Sequence, residues 1–203
     1  VATPEGYARN PELVINFYNE RRKQLLDVVP NAGHLGVADL ERDFNVTVVT
    51  QNVDNLHERA GSTHVIHLHG ELTKVCSSRD PYNPHFVKEL APEEYEVKLG
   101  DKAGDGTQLR PFIVWFGESV PEIETAIRYV EQADVFVIIG TSLNVYPAAG
   151  LLNYVPRAAE VYLIDPKPVD THVMRPIHVI QKRASEGVKE LKALLTVTQP
   201  PLP

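Results

Sequence analysis

Two short polar clusters carry the side chains best suited to chemistry. Gln51-Asn52-Val53-Asp54 follows the β-branched run Val46-Thr47-Val48-Val49-Thr50, and His67-Leu68-His69-Gly70 closes a second apolar run that begins at His64. Both runs read as strands. Polar residues at the carboxyl end of a strand sit where open α/β sheets bind ligands. The two strand ends therefore deliver amide, carboxylate and imidazole groups to one rim. An imidazole changes charge near neutral pH and suits general acid–base work. His64, His67 and His69, spaced HxxHxH, also fit a metal reading, because alternate strand residues share a face. No later acidic or histidine cluster completes such a site, and a bare motif of this kind is more often coincidence. Asp54 and Asp165 read either as a carboxylate pair or as capping and turn residues. Gly140-Thr141-Ser142, after the apolar run Asp134 to Ile139, would let a sugar or phosphate approach closely. No G-x-G-x-x-G follows any strand.

The elements that must position these groups alternate. Asn10-Pro11 opens a helix, with Leu13, Val14, Phe17, Leu25, Val28 and Val29 as its apolar stripe and Pro30 as its end. Tyr18 and Arg21, three apart, project from neighbouring points on one face of it. Spacing alone favours an amphipathic Tyr and a solvated Arg. A second helix, about Ala32 to Phe44, leads into the first strand, and a short one, Asn55 to Ala60, stops at Gly61. Pro81, Pro84, Pro92, Gly100, Gly104 and Gly106 punctuate a loop-rich insertion from Thr73 to Gln108. Pro111 to Phe116 reads as a strand, Glu122 to Gln132 as a helix, and Asp134 to Ile139 as a strand buried on both faces. Helix Ala148 to Val155, strand Val161 to Ile164 closed by Asp165-Pro166, a short strand near Val179 and helix Ser185 to Leu195 follow. The tail TVTQPPLP reads as disordered. Strands alternating with helices imply right-handed βαβ units and a parallel sheet.

Bulk properties narrow the function classes. The chain has 203 residues, 43% of them hydrophobic, enough for one large domain or a domain with a smaller insertion. A formal net charge of -7 argues against a general nucleic-acid binder. No apolar run reaches membrane-spanning length, and VATPEGYARN lacks the basic-then-apolar pattern of a signal peptide. Cys76 is the one cysteine, so neither an intrachain disulfide nor a cysteine zinc cluster is available. That suits a cytoplasmic protein.

TQNVDNLHERAG, HLHGEL, IVWFGE and GTSLNVYPAAG, in this order and at these intervals, resemble the sirtuin family of NAD-dependent protein deacylases, and bacterial members most. The similarity runs from ATPEGYARNPELVINFYNERR to RASEGVKEL. It implies an α/β fold: a Rossmann-like parallel sheet flanked by helices, with a smaller helical and loop-rich insertion module. The expected division is a helical segment 1–44, a Rossmann-like NAD-binding domain over 45–72 and 109–196, a small module 73–108, and a tail 197–203.

The resemblance also implies the chemistry. In sirtuins the acyl-lysine carbonyl oxygen attacks the ribose of NAD as nicotinamide leaves, and the acyl group departs on ADP-ribose, freeing the lysine. By resemblance His69 is the general base and Asn52 lies at the reacting sugar. Gln51 is assigned to the ribose hydroxyls and Asp54 to the nicotinamide carboxamide. Gly140, Thr141 and Ser142 would line the adenosine half of NAD, with Asp165 and Ala184 also on the cofactor side. The backbone of Val114 to Glu118, including Phe116 and Gly117, would pair with the substrate peptide as an added strand. Tyr18 and Arg21 resemble a Tyr-x-x-Arg pair that accepts acidic acyl chains, so succinyl and malonyl join acetyl as expected substrates. The expected partners are NAD and acyl-lysine proteins or peptides, with no nucleic acid and no membrane.

Three departures from the family pattern carry expectations of their own. The family's four-cysteine zinc site has only Cys76 here, so no zinc is expected. Asp165 stands where many members have Asn. The family's glycine-rich loop, GAGxS, which cradles the NAD pyrophosphate, is not among these residues, so they alone are expected to bind NAD poorly. The alternative to a deacylase is a non-catalytic acyl-peptide or ADP-ribose binding domain of the same fold.

Overall fold

Helix starts follow the chain's polar punctuation. Thr3 accepts from the Gly6 N–H and caps α1 (Pro4–Arg9), and Asn10 accepts from the Leu13 N–H and caps α2 (Pro11–Leu25). Each helix has proline at its start, where no intrahelical N–H is needed. Asn31 caps α3 (Ala32–Asp39) by accepting from Gly33 and His34, and its own N–H is accepted by His34 Nδ1. The remaining regular elements are β1 (Val48–Thr50), α4 (Leu56–Ala60), β2 (Val65–His67), β3 (Gly70–Ser77), β4 (Lys88–Glu89), β5 (Leu109–Ile113), α5 (Ile123–Val130), β6 (Val135–Ile139), β7 (Glu160–Ile164), β8 (His178–Ile180) and α6 (Ala184–Thr198). This computed structural model describes residues 1–141, 148–170 and 173–198. β1 and β2 form a two-stranded sheet, closed by Val48 N–H to the His64 carbonyl and Leu68 N–H to the Thr50 carbonyl.

The chain divides into two units, Val1–Val29, Val49–Asn55 and Ile66–Glu122 in one, the rest in the other. In the first, β3 runs antiparallel between β4 and β5. Its core joins Ile15, Val75 and Val97, with Tyr7, Leu90 and Leu109 packed around them. In the second, β6, β7 and β8 are parallel, with Val135 opposite Glu160 and Tyr162 opposite His178. Its core gathers Leu40, Tyr162, Ile164, Ile180, Val188, Leu191 and Leu195. The α6 helix lies so close to β7 that a Cβ at Gly187 would come within 2.3 Å of the Ile164 side chain.

Several sequence expectations need correction. The buried face of α2 is Val14, Ile15, Tyr18, Asn19, Arg22 and Leu25, whereas Leu13, Val28 and Val29 are exposed. Polar partners decide that face: Asn19 Nδ2 donates to the Val97 carbonyl, and Arg22 donates to Tyr95 and Leu72 carbonyls and to Asn19. Burial lowers the Arg22 guanidinium to about 10. The Thr73 boundary falls inside β3, whose Gly70–Ser77 mixes polar and apolar residues and continues past Thr73. Only Ile138 of β6 is buried, since β6 is the edge of its sheet. Ala148–Tyr154 is a 3-10 helix, and α6 continues through Thr198. Among the described residues no helix is long and apolar enough to cross a membrane.

Candidate active site

In the first unit the loop after β1 is tied to the β2–β3 corner by four consecutive carbonyls. The Thr50 carbonyl accepts from Leu68 N–H at 2.9 Å and the Gln51 carbonyl from His69 Nδ1 at 3.1 Å. The Asn52 carbonyl accepts from His67 Nδ1 at 3.0 Å and the Val53 carbonyl from Leu72 N–H at 2.8 Å. A carbonyl only accepts, so both Nδ1 atoms carry a proton and Nε2 of each neutral ring is the basic nitrogen. The rings then differ. His67 is buried, with Nε2 4.0 Å from a Glu71 carboxylate oxygen, whereas His69 is half-buried.

His67 and His69 do not share a strand face as expected. β2 ends at His67, and Leu68-His69 forms a turn into β3. Gly70 makes that turn: its φ is +85°, and a Cβ there would meet the Phe112 carbonyl oxygen at 2.1 Å. The His69 carbonyl accepts from Val114 N–H at 2.9 Å, tying His69 to the segment after β5. His64, by contrast, shares a 2.9 Å hydrogen bond with Thr47 and its ring packs edge-on to Tyr129, both in the second unit.

Gln51 is half-buried, and its amide Nε2 is enclosed and makes no hydrogen bond. A water or a ligand oxygen would satisfy an enclosed donor of this kind. Asn52 is exposed and Asp54 half-buried in the same loop.

The Val114–Glu118 segment, where the resemblance expects a substrate peptide to pair as an added strand, has most of its N–H groups in use. The N–H groups of Val114, Trp115, Phe116 and Glu118 donate internally, to His69 O, Glu118 Oε1, Ala2 O and Trp115 O. The groups left for an outside partner here are carbonyl oxygens, beside the exposed Phe116 ring and Gly117, whose φ is +90°. The Glu118 carboxylate is not offered outward. It binds Arg110 through both oxygens at 3.0 Å, and the Arg110 guanidinium lies 3.6 Å from the Trp115 ring centroid. Trp115 Nε1 donates to the Tyr18 hydroxyl at 3.1 Å. Sequence reading missed this network and the Asn19–Arg22 clamp. The one available signal was a lone tryptophan between an arginine and a glutamate.

Tyr18 is buried, and burial pushes its hydroxyl pKa up. Arg21, one turn on, is exposed, with its guanidinium 5.1 Å from the Phe17 ring and 3.3 Å from Gln24 Oε1. The spacing reading of a buried Tyr beside a solvated Arg therefore holds for this geometry.

In the second unit the carboxyl ends of the parallel strands present Gly140, Asp165 and, after β8, the start of α6 at Ala184. Gly140 is exposed with φ +66°, and Thr141 follows it. The Asp165 carboxylate accepts from Lys167 N–H at 2.8 Å, which is the turn role. Ala184 packs on Gly33, where an added Cβ would sit 3.1 Å from its own. Ser142 lies outside the described residues.

Residues 1–147 match the Sir2 family. The chain belongs to the Sir2 family. One relative of this sirtuin, an NAD-dependent protein deacylase of Bacteroides thetaiotaomicron, is 82% identical over 195 residues, 96% of this chain and 83% of the relative. A Helicobacter pylori NAD-dependent protein deacylase is 47% identical over 191 residues, 94% of this chain and 81% of that protein. The fold matches a Sir2 homologue crystallised with NAD at a TM-score of 0.82 and 36% identity, covering 97% of this chain and 76% of that one. It matches a Sir2–p53 peptide–NAD+ structure at 0.77 and 26%, covering 98% and 83%. These relatives are named as enzymes, which does not favour a non-catalytic binding domain.

Proposed function

We propose that this sirtuin removes acetyl and acidic acyl groups from protein lysines in an NAD-dependent reaction, with His69 as general base. With one water consumed, the products are nicotinamide, O-acyl-ADP-ribose and free lysine. NAD supplies a ribose carbon that becomes electrophilic as nicotinamide leaves. The chain's own residues do the rest. The observation that carries this reading is the 3.1 Å bond from His69 Nδ1 to the Gln51 carbonyl. It leaves Nε2 of a half-buried ring as the basic nitrogen, and in this reading Nε2 takes the proton of a sugar hydroxyl. Gln51 Nε2, enclosed and without an acceptor, holds a ribose oxygen. Asn52 borders the reacting sugar, and Asp54 accepts from the carboxamide. Gly140, Thr141, Ser142, Asp165 and Ala184 serve the adenosine side, and the expected compartment is the cytoplasm.

For the acyl end, Tyr18 and Arg21 read a terminal carboxylate. Arg offers a planar fork and Tyr one further donor. Because Arg21 is exposed, a neutral acetyl chain leaves it solvated and carries no buried-charge penalty. In the test, His69→Tyr is expected to lower deacylation by about 10²–10⁴-fold with the melting midpoint little changed. Retained deacylation in a folded His69→Tyr protein would refute the assignment.

A further inference from the structure

Tyr18 is held by an interaction that constrains which way it can hydrogen-bond. A phenol oxygen has two lone pairs and one proton. The Trp115 indole can only donate, and it donates to the Tyr18 oxygen at 3.1 Å. The Tyr18 proton must therefore point elsewhere, and no acceptor for it is found among the described residues. Both rings are buried, at 6% exposure for Tyr18 and 2% for Trp115. The indole itself is fixed: Arg110 lies over its ring, Tyr7 packs against it at 5.3 Å between centroids, and Glu118 accepts from its backbone N–H while gripping Arg110. A cation over the ring also draws density from the indole and strengthens its N–H as a donor.

We propose that Trp115 is a positioning residue for acyl selectivity, whose indole N–H caps the Tyr18 oxygen and turns Tyr18 into a directed donor for acyl chains that end in an acceptor such as a carboxylate. The proposal rests on the reading of Tyr18 and Arg21 as the acyl-end pair. It extends selectivity to three residues outside that pair, Trp115, Arg110 and Glu118. The N–H capping the oxygen makes the phenol a stronger donor, and a donor-ended chain of equal length meets a group with reduced capacity to accept.

The test replaces the single N–H. Trp115 is exchanged for benzothienylalanine, in which sulfur stands for the indole N–H and the ring shape is kept, with Trp115→Phe as a second variant. Desuccinylation and deacetylation are compared as kcat/KM on matched peptides. Loss of one hydrogen bond predicts a fall of about three- to tenfold in the succinyl-to-acetyl ratio, carried by the succinyl-peptide KM with kcat little moved. Because Trp115 is the only tryptophan, its emission reports the contact directly. Succinyl-peptide is expected to shift it in the unmodified enzyme and not in Tyr18→Phe. An unchanged ratio in the benzothienyl protein, while Tyr18→Phe and Arg21→Met lower it, would overturn the role of Trp115 alone. Equal loss of both activities would make Trp115 structural and overturn it too. An unchanged ratio in all these proteins would overturn the acyl-end reading itself.

Discussion

The stretch 73–108 holds one cysteine, and Ser77 shows what fastens its loops to β3. Ser77 is fully buried at the end of β3. Its hydroxyl donates to Asp105 Oδ2 at 2.6 Å and accepts from the Arg79 and Asp80 N–H groups at 3.0 Å each. Asp105 Oδ1 takes the Thr107 hydroxyl at 2.7 Å and its N–H at 3.1 Å. One hydroxyl thus joins a strand end, the turn after it and the loop leading into β5. Ser77→Ala deletes that hub and leaves two backbone donors without an acceptor. An unpaired group costs about 1–3 kcal/mol, less where water can reach it. Taking about 2 kcal/mol, and about 2–4 °C per kcal/mol for a chain of this size, the melting midpoint should fall by about 4–8 °C. The pH dependence gives a second reading. Hydrogen bonds from Ser77 and Thr107 lower the Asp105 carboxyl from 3.8 to about 2. A depressed folded pKa stabilises above the unfolded value, and the effect is lost as pH falls through the folded one. The knot is therefore intact above pH about 4 and fails towards about 2. Ser77→Ala should move the acid limb of the stability curve to higher pH. Differential scanning calorimetry from pH 2 to 7 measures both. An unchanged midpoint together with an unchanged acid limb would refute the reasoning.

Other outcomes follow from the same geometry. Elemental analysis of the purified protein should find no stoichiometric zinc, because burial pushes the lone Cys76 thiol up to about 12 and keeps it protonated; one zinc per chain would contradict this. His67→Ala should lower the melting midpoint by several degrees, about 1–3 kcal/mol for the stranded Asn52 carbonyl, yet leave far more deacylation than His69→Tyr. Equal loss from both, restored by added zinc, would return the metal reading to favour. Arg21→Met should cut desuccinylation roughly tenfold or more, as loss of a charge-assisted contact of about 1.5–3 kcal/mol implies, while deacetylation falls far less. Matched kcat/KM values for the two acyl peptides decide it.

How much of this was legible depends on how local its cause is. The strands ending near Thr50 and Ile139 could be read because β-branched or aliphatic runs are broken by polar residues. The start of α2 was written in Asn10-Pro11. Its buried face was not, since Asn19 and Arg22 bury against the backbone of residues 95–97 and Leu72, far along the chain. Periodicity ranks side chains by hydropathy, so it chose Leu13, which is 56% exposed, over Arg22 at 4%. β3 was missed for a related reason. Prolines and glycines beyond residue 80 coloured the whole stretch as loop, although Gly70–Ser77 pairs with strands on both sides.

The site shows the same division between residue type and residue state. Composition could nominate His67 and His69 equally, since both are imidazoles beside a β strand. In the structure both also turn Nδ1 to a carbonyl of the same loop. What separates them is the turn at Leu68-His69, which needs the positive φ of Gly70. It leaves His67 packed inside near Glu71 and puts His69 on the half-buried side, with its carbonyl joined to Val114. One glycine therefore decides which of two chemically identical rings is enclosed and which is half-buried. The inner ring has a use as well. His67 holds the Asn52 carbonyl while His69 holds that of Gln51, so the two rings together fix two successive residues of the loop after β1. In the proposed reading the pair is a single device, in which the buried histidine orders the loop and the half-buried one is the base.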